Sequence, residues 1–377
     1  MEKRKKVISA GHICLDITPV FSGEQYTSPE NILQPGKLIQ MKAADVHIGG
    51  SVGNTGLAMK ILGADVSLIA KVGTDAFGEI ILSNLEKYGA AGNIQRTEEG
   101  ATAHSVILAI PGIDRIFLHH SGVNDIFSEE DISEKVLEDV ALFHLGYPPV
   151  MKGLYQNEGE ELYRLLRKVK DKGIVTSVDM ADVDEKSQAA GENWRNILKK
   201  VIPYIDIFMP SVEELCFMLD PMRLTEWKSR AGGRDITEIL DVHKDVCPLA
   251  EICMEMGAKI LVIKCGVKGM YYRTADAEKL APISKVIELN VHAWSGQEGF
   301  EESYQPEKFL SGTGAGDTSI AAFLTALLKN YSLRECVQLA AATGASCVSA
   351  YDALSGLKSL DELRRRIESG WPKLKIY

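Results

Sequence analysis

Three times along this chain a glycine is followed within a few residues by a short β-branched run: Gly63 precedes 66–70, Gly173 precedes 174–178, and Gly257 precedes 260–263. The segment before each glycine has helical spacing, and glycine is the residue that ends helices in the left-handed conformation. Helix, glycine stop and buried strand, repeated, is the pattern of βαβ units around a mainly parallel sheet. Runs 7–10, 141–145 and 205–209 add strands. Helices are expected over 77–88, 157–172, 211–219, 248–256, 317–329 and 333–350. The 377 residues are within reach of one large α/β domain with insertions near 221–247 and 291–308, which extend the chain beyond what such a sheet needs. Those insertions carry Trp227 and Trp294.

One segment departs from the rhythm. Residues 103–110 and 115–119 flank Pro111-Gly112-Ile113-Asp114 and read as a β-hairpin. With the excursion near 36–48 it would form a small sheet projecting from the main domain, its segments near 36–48 and 102–120. Such a sheet suggests a lid or a dimer contact. The irregular stretch 18–36 holds Pro19, Gly23, Pro29 and Pro35.

The chemistry centres on Ser311-Gly312-Thr313-Gly314-Ala315-Gly316-Asp317-Thr318. Alternate glycines bring backbone amides close to a ligand, and apolar residues at 320, 323, 324, 327 and 328 mark a helix with one buried face. Free amides and the positive helix end favour a phosphate. A carboxylate at that place, Asp317, is either a helix cap or the base that takes a proton from an attacking hydroxyl. Near the start, Asp16 lies just past the first strand, where open α/β sheets bind ligands. Gly49-Gly50 opens a second small-residue helix carrying Asn54, which either bonds ligand hydroxyls or satisfies local backbone.

A net charge of −10 argues against a nucleic-acid or anionic-membrane partner, and the Lys3-Arg4-Lys5-Lys6 run is too short to change that. His12 and Asp16 interrupt the first apolar segment too early for a signal peptide, so a cytoplasmic location is expected. Seven scattered cysteines without a C-x-x-C pair fit reduced thiols, with neither a zinc site nor a disulfide framework.

The two glycine motifs in this order resemble the ribokinase-like (PfkB) carbohydrate kinases. Matching stretches are Gly49-Gly50-Ser51-Val52-Gly53-Asn54, 71–78, Lys264-Cys265-Gly266-Val267-Lys268-Gly269, and Thr313-Gly314-Ala315-Gly316-Asp317-Thr318. The resemblance implies a three-layer α/β/α fold with a β-sheet lid, and an ATP-dependent kinase acting on a hydroxyl of a small sugar. It implies Asp317 as base, with Gly314, Ala315 and Gly316 as anion hole. Asp16, Gly49, Gly50 and Asn54 would hold the sugar. Lys264, Gly266, Gly269 and Thr313 would line the nucleotide site, and Glu214 would reach Mg2+ through water. The helix after Ser332 would supply part of the adenine wall.

Three departures bear on this. Ser311 and Ser211 stand where the family commonly has Asp and Asn, and 179–182 reads Asp-Met-Ala-Asp where the family has Asp-x-Asn-x-Arg. A carbonyl-built K+ site would survive the first change. A catalytically degenerate binder and a nucleoside kinase stay open as alternatives. A nicotinamide dehydrogenase fits the alternation of elements but would need Gly-x-Gly-x-x-Gly after the first strand, which is absent.

Overall fold

The computed structural model describes residues 5–21, 25–113 and 115–375. Lys3, Arg4, Gly23 and Asp114, which entered the reading of the basic run and the turns, lie outside the described residues.

Thirteen strands are described: β1 (Lys6–Gly11), β2 (Cys14–Thr18), β3 (Asp45–Gly49), β4 (Asp65–Gly73), β5 (Ile94–Thr97), β6 (His104–Leu108), β7 (Ile116–His120), β8 (Val140–Gly146), β9 (Val175–Asp179), β10 (Ile207–Phe208), β11 (Ile260–Lys264), β12 (Gly269–Thr274) and β13 (Glu298–Glu302). Nine form one sheet in the order β13-β12-β11-β10-β9-β8-β1-β4-β5, parallel except where β12 and β13 run antiparallel at one edge. The three stop glycines adopt φ of 95°, 75° and 101° at positions 63, 173 and 257, where a β-carbon would be strained.

Strands buried on both faces read as continuous apolar runs, and their alternate residues feed two cores. Val7, Leu142, Val175 and Val262 pack under the helices Ala315–Leu328 and Leu333–Cys347. Ile8, Phe143, Val178 and Leu261 pack under the opposite layer, which includes Lys152–Asp171 and Val212–Leu219. The fold is a three-layer α/β/α sandwich.

A separate four-stranded sheet has the order β3-β2-β6-β7. The hairpin is β6 and β7, while β2 is a strand where the sequence announces only a loop around Asp16. Its alternation, Leu15-Asp16-Ile17-Thr18, is too short to stand out, and pairing with β3 and β6 supplies the order. The strands β5, β12 and β13 are likewise absent from the sequence reading. β12 carries the aromatic run Tyr271-Tyr272, a strand signal overshadowed by the glycines before it.

Other departures have packing causes. The helix from 315 is buried all round from Asp317 to Leu327, because it lies between the sheet and Leu333–Cys347, so its apolar stripe understates its contacts. Lys152–Asp171 breaks at Gln156 to Gly159, three of whose residues are left-handed. The later insertions are not mere appendages: Trp227 and Trp294 are each about as buried as any side chain, one in each core, and β13 closes the sheet edge. Among the described residues no helix is long and apolar enough to cross a membrane.

Candidate active site

The parallel strands end in register, with Gly11 beside Gly146 and Gly146 beside Asp179, so the loops leaving them gather along one edge. Open α/β sheets bind ligands along that carboxyl edge. Into it projects the loop 311–316. Gly314, at φ 73°, is the N-cap of Ala315–Leu328, and a β-carbon there would strike Ala353. The Ala315 amide turns back to the Gly312 carbonyl at 3.3 Å, whereas the Gly314 and Gly316 amides meet no backbone carbonyl among the described residues.

Asp317 lies in the first turn but does not cap the helix. Its side chain, 4% exposed, points across to other elements. Asn54 Nδ2 donates to one carboxylate oxygen at 3.0 Å and Thr55 Oγ1 to the other at 3.1 Å. The Tyr147 hydroxyl is 2.8 Å from both. Asn54 and Thr55 sit in a π-helical turn, Val52–Gly56, opened by Gly50 at φ 76°. Such bulges aim side chains that a regular helix would direct elsewhere. Burial pushes Asp317 above the ordinary carboxylate range, while Lys264 and the three donors pull it back.

Asp16, on β2, lies against Gly49 of β3, where a β-carbon would occupy the carboxylate. Cys14 Sγ donates to it at 3.3 Å, and burial raises it to about 6. A β-carbon on Gly50 would meet His12. His12 Nε2 and His119 Nε2 are 3.2 Å apart, linking the end of β1 to the small sheet, and Ser105 Oγ bonds the other nitrogen of His119 at 3.0 Å. Burial, then the neighbouring His120 and His104, lowers His119 to about 4, so the pair is neutral at pH 7.

Lys264, at the end of β11, is 2.5 Å from Asp179. Burial alone would lower its ammonium, but the carboxylates of Asp179, Glu214 and Asp317 hold it above its usual value. It lies against Gly316. Gly266 and Gly269 bound the next turn at φ 52° and 129°. Their β-carbons would strike Thr237 and the Glu301 carbonyl, so packing alone requires glycine at both. Thr313 accepts hydrogen bonds at Oγ1 from Ser311 (2.9 Å) and Arg115 (3.1 Å).

Ser211 and Glu214 form a capping box: the Ser211 amide donates to Glu214 Oε2 at 2.6 Å and Ser211 Oγ accepts from the Glu214 amide at 3.2 Å. Ser211 thus caps the helix that carries Glu214. Next to it, burial and the Asp235, Asp182 and Glu214 carboxylates raise Glu213 to about 7. Among the described residues no three His, Cys, Asp or Glu side chains form a cage that would hold a metal unaided.

Geometry therefore unites Asp317, the Gly314 loop, Asn54 and Lys264 along one sheet edge, and sets Asp16, Gly49 and Gly50 where the small sheet meets it. Tyr147, Thr55, His12, His119 and Arg115 join the site, though the sequence reading gave none of them a role in it. Tyr147 carried one signal: Gly146 and Pro148-Pro149 around it mark a sharp turn after a strand, and its φ of 68° is left-handed.

Comparison with known proteins places the chain in a family. The family model "pfkB family carbohydrate kinase" matches residues 6–359. A protein of Archaeoglobus fulgidus called an uncharacterized sugar kinase is 25% identical, over 81% of this chain and 100% of its own. The 5-dehydro-2-deoxygluconokinase of Clostridium perfringens is 24% identical, over 97% and 94%. Among solved structures, Arabidopsis thaliana ribokinase complexed with ribose and ATP matches with a TM-score of 0.67 at 18% identity, over 96% of this chain and 98% of that one. Fructokinase with bound ATP from Xylella fastidiosa gives 0.70 at 17% identity, over 97% and 99%. The chain belongs to the pfkB family of carbohydrate kinases.

Proposed function

We propose that the protein transfers the γ-phosphoryl group of ATP to a hydroxyl of a small sugar or sugar-like acid. The carrying observation is the Asp317 carboxylate, buried, bonded by Asn54, Thr55 and Tyr147, and one turn from the left-handed Gly314. The substrate hydroxyl attacks the γ-phosphorus and passes its proton to Asp317, while the bond to the ADP oxygen breaks. The Gly314 and Gly316 amides, and that of Ala315 once released from Gly312, face the transferred oxygens. Asp317 needs little basicity, because a loose transition state calls for late proton removal.

Asp16, Gly49, Gly50 and Asn54 would hold the sugar, and Lys264, Gly266, Gly269 and Thr313 the nucleotide. Glu214 suits a magnesium ion that keeps most of its waters, since one of its oxygens is spent on the cap and its neighbours are acidic. That ion would supply charge neutralisation on the phosphates. The relatives called 5-dehydro-2-deoxygluconokinase support a sugar-derived acid among the substrates. Exposed Phe117 and Leu118 on β7 support a homodimer through the lid, in a cytoplasmic protein.

The test is ADP release from ATP and Mg2+, with and without K+, against pentoses, hexoses, keto-sugar acids and nucleosides. A non-catalytic binder is the second reading, favoured by Tyr147 occupying both oxygens of the base. It predicts ATP binding without ADP release on any of them.

A further inference from the structure

The loop 311–316 contains no lysine or arginine. Lys264, which pairs with Asp179, approaches from one side, its Nζ 3.7 Å from where a Gly316 β-carbon would stand. Arg115 approaches from the other side. It directly precedes β7, so the small sheet carries it, and its Nη1 donates to Thr313 Oγ1 at 3.1 Å. Its Nη2 stands 3.0 Å from where a Gly312 β-carbon would be, so glycine there admits the guanidinium to the loop. The Arg115 head also lies 5.6 Å from the Phe117 ring centroid.

We propose that Arg115 is a lid-borne catalytic residue that pairs with the phosphoryl group in transfer. The inference rests on the kinase reading above. A phosphoryl group in transfer spreads negative charge over three oxygens, which backbone amides meet only with partial charges. A planar guanidinium offers parallel donors and keeps its charge at any working pH. Thr313 anchors it one residue from the Gly314 amide, and Ser311 Oγ, donating to the same Thr313 oxygen at 2.9 Å, fixes that hydroxyl. The body of the protein brings the base and the amides, and the lid brings the full cation. Charge is complete only when the lid is seated, which favours transfer to sugar over transfer to water. Arg115 stays protonated throughout; the proton goes to Asp317 and the electron pair of the broken bond to ADP.

Calorimetric titration of the full chain with ATP and with ADP, each with Mg2+ and without sugar, tests this. Arg115→Ala is expected to weaken ATP by about tenfold, the cost of one charge-assisted contact, with ADP binding unchanged. Arg115→Lys, which keeps the charge but not the paired donors, should fall between, and it serves where the alanine variant does not fold. Equal weakening of both nucleotides, or of neither, in a wild type that binds ATP and turns sugar over overturns the role of Arg115 alone. A wild type that binds neither nucleotide overturns the kinase reading and this inference together.

Discussion

The Tyr147 hydroxyl stands 2.8 Å from both oxygens of the Asp317 carboxylate, across 170 residues of sequence. Tyr147 comes directly after β8 in a left-handed conformation that costs a non-glycine residue about 1–2 kcal/mol. Its amide bonds the Asp179 carbonyl at 3.2 Å, and burial holds its hydroxyl well above the usual phenol range, so it is a donor at working pH.

Removing that donor changes the Asp317 carboxylate. Burial favours the protonated form of Asp317, and Tyr147 is one of the bonds opposing it. Tyr147→Phe should therefore move the acid limb of the pH–rate profile to higher pH, because the proposed base acts in its ionised form. The loss in kcat should be about tenfold near pH 6 and smaller at pH 8. An acid limb unmoved from wild type would take Tyr147 out of the site.

Lys264 and Asp179 form a buried pair at 2.5 Å. Burial holds Asp179 well above the ordinary carboxylate range and Lys264 opposes that, so Lys264→Met leaves a buried carboxyl group without its partner and should cost about 3–5 kcal/mol in denaturant unfolding. The double variant with Asp179→Leu should regain most of it. A single variant within about 1 kcal/mol of wild type would contradict the burial of the pair.

Asp16 couples stability to pH. Its folded value, about 6, lies above the unfolded 3.8. The folded state thus binds the proton more tightly; this contribution is full below 3.8 and is lost as pH rises through 6. Asp16→Asn should be more stable than wild type above pH 6 by about 1–2 kcal/mol, allowing for its half-buried place, with no gain at about pH 4. Its sugar KM should rise about tenfold or more while that for ATP stays. Equal rises in both would remove Asp16 from the sugar side.

Trp227 comes from a segment with the composition of an insertion, yet it is fully buried and its Nε1 donates to Asp245 at 3.1 Å. Trp227→Ala should cost about 3–5 kcal/mol in a single cooperative transition. Loss of one segment alone, with the rest of the unfolding curve unchanged, would mark 221–247 as a separate unit.

What was legible in the sequence was local. Gly63, Gly173 and Gly257 stop helices within their own segments, and Gly314 with Asp317 marks a loop and its helix, so spacing sufficed for both. Tyr147 and Arg115 act through partners 170 and 198 positions away. Those contacts depend on strand register and on how the small sheet sits on the large one. Asp317 itself had two local readings, cap or base; its bonds to Asn54, Thr55 and Tyr147 dispose of the first, because a capping carboxylate would face its own helix amides. The burial of Trp227 and Trp294 was not legible, because charged residues outnumber the two tryptophans in those segments.

The proposed reaction turns on Asp317 taking the proton. The most direct test is single-turnover ADP formation by wild type and Asp317→Asn on the best substrate from the panel, with ATP and sugar binding measured in parallel. The variant should bind both within a few-fold of wild type and react more slowly by about 10²–10⁴. A variant that binds both substrates and turns over at the wild-type rate would contradict it.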